Sequence, residues 1–346
     1  MRLSQVSTQS LFSVMQQSVS SLQKELAKTQ HEATTGLPAD IGLELGYQNE
    51  KRFSLELDIE RLGTIIDTNA MARARLEMTL SASSAVSDAG QDLLSALTSS
   101  IGQTGTGSIA ALAGESALSS ITGFLNTAVN GEFIFGGTNT AVGPIRDFEN
   151  GGAQAALDSA FVTHFGFSKS DPAAASITPS AMTNYLDTAA TALFQDPDWS
   201  ANFSNAADQT INGRIGFNET TTASVSANEQ AFRDAVFAAV IAAEYLDGPL
   251  GTSAREAVAD KAIALIANSA SGIASLQGQA GFYASRIEQT SERLGILVDE
   301  FTRQADEMAA VDPYQAATRL NSLLTQIETS YTLTGRLQQL SLMRFI

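Results

Sequence analysis

Residues 262–311 read AIALIANSASGIASLQGQAGFYASRIEQTSERLGILVDEFTRQADEMAAV. Mostly small or apolar residues return in alternating steps of three and four: Ala262, Ile266, Ser269, Ile273, Leu276, Ala280, Tyr283, Ile287, Thr290, Leu294, Leu297, Phe301, Gln304, Met308 and Val311. Such steps keep every one of them on a single stripe of a helix. At about 1.5 Å of rise per residue the stripe is a rod of roughly 75 Å, too long for one compact core to bury. Asp312-Pro313 then predicts a stop and restart, because Asp is a good N-cap and Pro is tolerated in a first helical turn.

The same rhythm recurs toward both ends. After the restart, Leu320, Leu324, Ile327, Tyr331, Leu337, Leu340 and Phe345 mark a last amphipathic helix. Leu3 and Val6 precede a first helix striped by Phe12, Met15, Val19, Leu22, Leu26, Thr29 and Ala33. A further run extends from Ile59 through Leu62, Ile66, Asn69, Arg73, Leu76, Leu80, Ser83, Ser87, Gly90, Leu94 and Leu97 to Ile101. Its middle is polar, so this seam is imperfect.

The texture changes between about Thr138 and Ala227. Gly143-Pro144, Gly151-Gly152, Asp171-Pro172, Thr178-Pro179, Asp196-Pro197 and Asn212-Gly213 are turn signals dense enough to break any long helix. Phe161 to Phe165 and Ile211 to Phe217 read as short strands. Helical patterning resumes over 228–246, with Phe232, Val236, Val240, Ile241 and Tyr245 on one side. Just before the turn-rich stretch stands Asn130-Gly131-Glu132-Phe133-Ile134-Phe135-Gly136-Gly137-Thr138. Asn-Gly favours a tight turn with positive φ, Phe-Ile-Phe a strand, and Gly-Gly an exit from it.

The chain has 346 residues, a formal charge of −17 and only 7% aromatic residues. That charge disfavours nucleic acid as a partner, since phosphate neutralisation needs clustered Lys and Arg. With no cysteine and two histidines, disulfides and thiolate metal sites are excluded and a His-based zinc site is improbable. The first residues lack the apolar run of a secretory signal. The apolar stretch Ala235–Ala243 is far short of the roughly 20 residues that cross a bilayer, so no membrane insertion is expected.

No catalytic constellation, cofactor site or metal site emerges. Gly102 to Ser108 is rich in glycine, but Gly107 stands where a phosphate loop needs Lys, so a flexible connection is the reading. Asp196-Pro197-Asp198 lacks the Gly and Glu that a calcium loop requires. His31 reads as a solvent-facing helix residue and His164 as a half-buried strand residue. No Ser sits in a Gly-x-Ser-x-Gly elbow.

Apolar stripes near both ends of a chain, where sequence is usually polar, imply a partner surface there. Isolated helices are marginal in water, so the ends are expected to be disordered alone and helical in an assembly. The expected fold is mainly α. A long antiparallel coiled-coil or helical-bundle core, built from the N- and C-terminal segments, carries a small mixed α/β or β-rich insert. Terminal assembly helices fall at 1–38 and 313–346, a helical rod at 39–138 and 227–312, and a variable outer insert at 139–226. A monomeric coiled-coil signalling adaptor is the rival from another class.

Terminal heptads around a turn-rich insert, without cysteine and with an acidic balance, resemble the bacterial flagellin superfamily. Gly131 to Thr138 resembles the Phe-Gly-Gly-Thr turn of its hook–filament junction members. Asp312-Pro313-Tyr314, Ala316 to Leu320, Ser330-Tyr331 and Leu337 to Leu342 resemble the closing helix of the same group. Filament subunits usually carry paired Asp and Ala-Ala-Gly after the first helix, whereas this chain reads Thr35-Gly36-Leu37-Pro38-Ala39-Asp40-Ile41-Gly42-Leu43. That difference favours a junction member over a minor filament flagellin.

The resemblance implies a non-enzymatic structural subunit, exported unfolded through the flagellar type III apparatus and placed extracellularly at the end of the hook. Copies of itself, the first hook-associated protein, flagellin and an export chaperone on the C-terminal helix are the implied partners. The expected assembly interface is Leu3, Val6, Phe12, Met15, Val19, Leu22, Leu26, Leu320, Leu324, Ile327, Tyr331, Leu337, Leu340 and Phe345. Gly131, Phe133, Phe135, Gly136 and Gly137 are expected to shape the turn.

Overall fold

The computed structural model describes residues 8–40, 42–43, 46–100 and 107–342. In chain order they form α1 (Thr8–Thr35), α2 (Gln48–Ser100), α3 (Gly107–Leu125), β1 (Ala128–Val129), β2 (Glu132–Phe133), α4 (Ala153–Phe165), α5 (Pro179–Tyr185), β3 (Asn212–Arg214), β4 (Thr220–Thr222), α6 (Gln230–Tyr245), α7 (Thr252–Ala309) and α8 (Pro313–Leu342). One-turn helical pieces link α5 to β3. Among the described residues the sheets are two antiparallel pairs, β1–β2 and β3–β4. The fold is mainly α, with long helices toward both ends and a small turn-rich part in the middle. It divides into two compact units, Met1–Gly63 with Gly295–Ile346, and Thr64–Leu294.

The second unit is organised around α6. The spacing of Phe232, Val236, Val240, Ile241 and Tyr245 predicts one buried side, but Ala231, Ala235, Phe237, Ala238, Ala239 and Ala242 are buried too. The alanines permit this: with almost no side chain, they let neighbouring backbones close in on every side. α3 meets α6 through its own small residues, Ala110, Ala111, Gly114 and Ala117. At Gly114 a Cβ would lie 2.5 Å from the Ala243 nitrogen and 2.8 Å from the Ala242 carbonyl carbon, so only glycine fits. α3 is also long and apolar enough to cross a membrane by length and composition alone, with 39% of that window buried in this unit.

The turn-rich segment shares this core. Residues 161–165, read from sequence as a strand, are the last turns of α4. The Ala-rich start of that helix carries the run forward, placing Leu157 and Phe161 one above the other on the buried face. Gly166, at φ 83°, ends the helix and donates its N–H to the Val162 carbonyl at 2.8 Å. His164 is therefore an exposed helical residue rather than a half-buried strand residue. Phe161 stacks on Tyr245 with ring centroids 5.5 Å apart, and the buried Tyr185 and Tyr245 hydroxyls satisfy each other at 2.7 Å.

Arg233 of α6 is buried with its charge accounted for. It pairs with Asp196 at 2.8 Å, donates Nε to the Asn228 carbonyl at 2.6 Å and lies over the Trp199 ring. Of the strand predicted over 211–217, Asn212–Arg214 is extended and pairs with Thr220–Thr222.

α2 and α7 run antiparallel in this unit. Asn69 Nδ2 donates to Ser291 Oγ at 3.0 Å, Arg73 pairs with Glu288 at 2.9 Å, and a Cβ at Gly90 would touch Ile266. The buried stripe advances by sevens, through Asn69, Leu76 and Ser83 on α2 and Ile266, Ile273, Ala280, Ile287 and Leu294 on α7. The restart at Asp312-Pro313 forms as the sequence predicts: Asp312 Oδ1 accepts from the Tyr314 N–H at 2.9 Å.

Replacing Gly114 by Val is expected to destabilise the protein by about 3 kcal/mol or more, since the clash is with backbone rather than a yielding side chain. Gly123, on the same helix, has open space around its Cβ position, so Gly123→Ala is expected to be neutral or stabilising by up to about 1 kcal/mol. Urea denaturation followed by circular dichroism measures both.

Candidate functional site

In the first unit α1 and α8 pack against each other as an antiparallel pair. Met15, Val19, Leu22 and Leu26 are half-buried and Thr29 is buried, all on the stripe read from the sequence. The facing stripe of α8 is Ala316, Leu320, Leu323, Ile327, Ser330 and Thr334. Leu320 and Ile327 belong to the predicted set, but Leu323 takes the seam position rather than Leu324. The pair is closed by Glu25 with Arg319, by Gln23 Nε2 donating to the Tyr331 hydroxyl at 2.8 Å, and by the Val311 N–H on the Gly36 carbonyl at 2.8 Å.

Pairing leaves apolar surface over. Leu324 is 43% exposed, Tyr331 53% and Leu333 50% on α8, and Val14 is 65% exposed on α1. Leu324 and Tyr331 are seven residues apart, hence on one flank beside the seam. Leu3, Val6 and Phe345 lie outside the described residues; Phe12, Leu337 and Leu340 lie on α1 and α8 with side chains outside the described set.

In the second unit, Gly131 to Thr138 forms a tie between distant segments. Ala128 pairs with Phe133 and Val129 with Glu132 around Asn130 and Gly131, whose φ angles of 53° and 83° are those of a two-residue hairpin turn. Ile134 and Phe135 are fully buried, Phe133 half-buried, and Phe135 meets Phe232 of α6 edge to face at 5.3 Å. The Phe135 carbonyl accepts from the Ala227 N–H at 2.8 Å and the Gly136 carbonyl from the Ala207 N–H at 3.0 Å. Arg75 of α2 donates to the Phe133 carbonyl at 2.8 Å and pairs with Glu132 at 3.0 Å. A Cβ at Gly136 would collide with the Asn139 carbonyl; one at Gly137, where φ is 60°, would collide with the Ala207 and Gln209 carbonyls. Gly136 therefore allows the local turn to Asn139, and Gly137 the approach of the 207–209 backbone.

His31 is exposed on α1, and Asp196 is taken up by Arg233. Most of the Gly102–Ser108 segment lies outside the described residues. Among the described residues no group of three or more His, Asp or Glu side chains is placed to hold a metal ion.

The apolar rows left over on the α1–α8 pair are suited to further helix contacts. Residues 6–140 match the model of the bacterial flagellin N-terminal helical region, and residues 263–346 match that of the bacterial flagellin C-terminal helical region. The two matches together take in more than half of the chain, which belongs to the bacterial flagellin family and is a structural protein of the flagellum. No curated protein is significantly similar in sequence. Among solved structures, a "putative flagellar hook-associated protein" from Vibrio parahaemolyticus aligns with a TM-score of 0.53 at 10% identity, over 76% of this chain and 97% of that one. At that identity the likeness is one of fold.

Gly137→Ala is expected to lower stability by more than about 1 kcal/mol, because strain at positive φ adds to the collision. Gly131→Asn, at an open position that tolerates positive φ, is expected to cost a few tenths of that. Thermal melting of the two variants separates them.

Proposed function

We propose that this chain is the subunit that joins the flagellar hook to the filament, of the hook-associated protein 3 type. The observation that carries the reading is the Gly131–Thr138 turn. Its Phe-Gly-Gly-Thr sequence resembles the turn of junction-type members, and close backbone contacts hold Gly136 and Gly137 to glycine. The segment from Thr35 to Leu43, without the paired Asp of filament subunits, supports the same choice.

In this reading α1 and α8 form the inner, assembling part. The pair is a two-helix element with apolar side chains still exposed beside its seam, so in isolation it is marginal. The neighbours complete it, covering Leu324, Tyr331, Leu333 and Val14. Those neighbours are copies of the chain, the first hook-associated protein on the hook side and flagellin on the filament side. Before export, a chaperone takes the amphipathic α8 in a groove, as helical ligands are commonly held.

Antibody labelling of intact flagella tests the placement. A single spot at the hook end is expected, whereas staining along the whole filament would make the chain a minor flagellin. Leu324→Asp tests the assembling face. Because Leu324 lies outside the α1–α8 seam, the substitution is expected to leave helical content unchanged and to reduce incorporation into flagella at least tenfold, the scale of burying one unpaired carboxylate. Incorporation at the normal level would count against the interface.

A further inference from the structure

The α2–α7 seam of the second unit turns polar at Asn69 and Arg73, and there the β3–β4 hairpin lies across both helices. Its strands pair Asn212 with Thr222 and Arg214 with Thr220. The tip closes through the Ile215 and Gly216 N–H groups on the Glu219 carbonyl at 2.8 and 3.2 Å. Ile215, 1% exposed, forms a small core with Leu76, Ala280 and Ile287, distinct from the main core around α6. The Ile215 carbonyl accepts from Asn69 Nδ2 at 3.0 Å, so the buried amide that interrupts the heptad is satisfied partly by the hairpin. Glu219 accepts from Arg286 Nε on one oxygen and Arg293 Nη2 on the other, each at 2.9 Å. Those arginines are seven residues apart, on one face of α7. Arg286 is the larger cause, and Arg293 the second, of a Glu219 carboxyl held below its ordinary range.

We infer that β3–β4 is a releasable clasp on the α2–α7 pair: one apolar tooth, Ile215, held down by one two-handed carboxylate, Glu219. Two features make it separable from the rest of the unit. Its apolar anchor is a single side chain outside the main core. Its ionic grip is at the surface, where salt screens it. Elements with few buried contacts open locally at low cost while the body stays folded. When the tip lifts, Asn69 loses its bond to the Ile215 carbonyl and Leu76 loses Ile215 from its small core, while Arg75 still ties α2 to the β1–β2 hairpin. The clasp therefore sets the local stiffness of the pair, and the inference stands apart from where in the flagellum the chain resides.

Hydrogen–deuterium exchange on the full chain, wild type and Glu219→Gln, at low and high salt, tests it. At low salt the variant is expected to exchange residues 212–222 on the order of threefold to tenfold faster, the scale of losing two surface ion pairs. A smaller rise is expected over 69–80 and 283–293, with α3 and α6 unchanged. High salt should bring the wild type toward the variant and leave the variant where it is. Equal hairpin exchange in both proteins would overturn the clasp. So would a rise that spreads through α3 and α6, which would make the hairpin an inseparable part of the main core.

Discussion

The second unit depends on the close approach of α3 and α6. α6 is buried on nearly every side, and α3 can reach it only because small residues, Gly114 above all, occupy the crossing. The main core of that unit packs outward from this contact. Phe161 and Tyr185 of the middle segment close on Tyr245, Phe135 of the hairpin turn closes on Phe232, and Trp199 with Asp196 encloses Arg233. Scarcity of aromatic residues is compatible with a well-filled interior because close backbone contact removes volume that rings would otherwise have to fill.

The terminal pair follows a different rule. Its seam is made by Met15, Val19, Leu22 and Leu26 against Leu320, Leu323 and Ile327, while Leu324, Tyr331, Leu333 and Val14 beside it face solvent. A helix pair built that way is a half-finished object, with its internal contacts satisfied and its flanks still apolar. That is the logic of a subunit in an assembly, and it fits membership of the flagellin family.

Much of this was legible in the sequence because heptads report helix faces directly. From Met15 to Thr29 on α1 and from Ala262 to Leu294 on α7 the stripes read from the sequence are buried or half-buried, and the stop at Asp312-Pro313 and the turn at Asn130-Gly131 followed from backbone preferences alone. The stripe of α8 was harder. Leu323 and Leu324 are adjacent, so either can continue the three-four rhythm, and the polar Ser330 and Thr334 that mark the true seam carry no hydrophobic signal. At 161–165 the β-branched and aromatic composition suggested a strand, but the preceding alanines and Leu157 had already committed the chain to a helix. The burial of α6 on all sides was hidden because alanine reads neutrally in any pattern. The hairpin clasp was half visible: Asn212-Gly213 promised a turn, while the salt partners of Glu219 lie some seventy residues onward and no local pattern points to them.

α1 and α8 are separated in sequence by the whole of the second unit, yet they must find each other to close the seam, with Gly36 and Val311 meeting at its base. Joining ends separated by so much intervening chain carries a large loop entropy until that chain has itself condensed. The seam therefore costs least to close once the second unit has folded. A chain cut short of α8 leaves α1 without its mate whatever the state of the middle. Presenting a paired surface thereby requires α8 as well as α1 to be present.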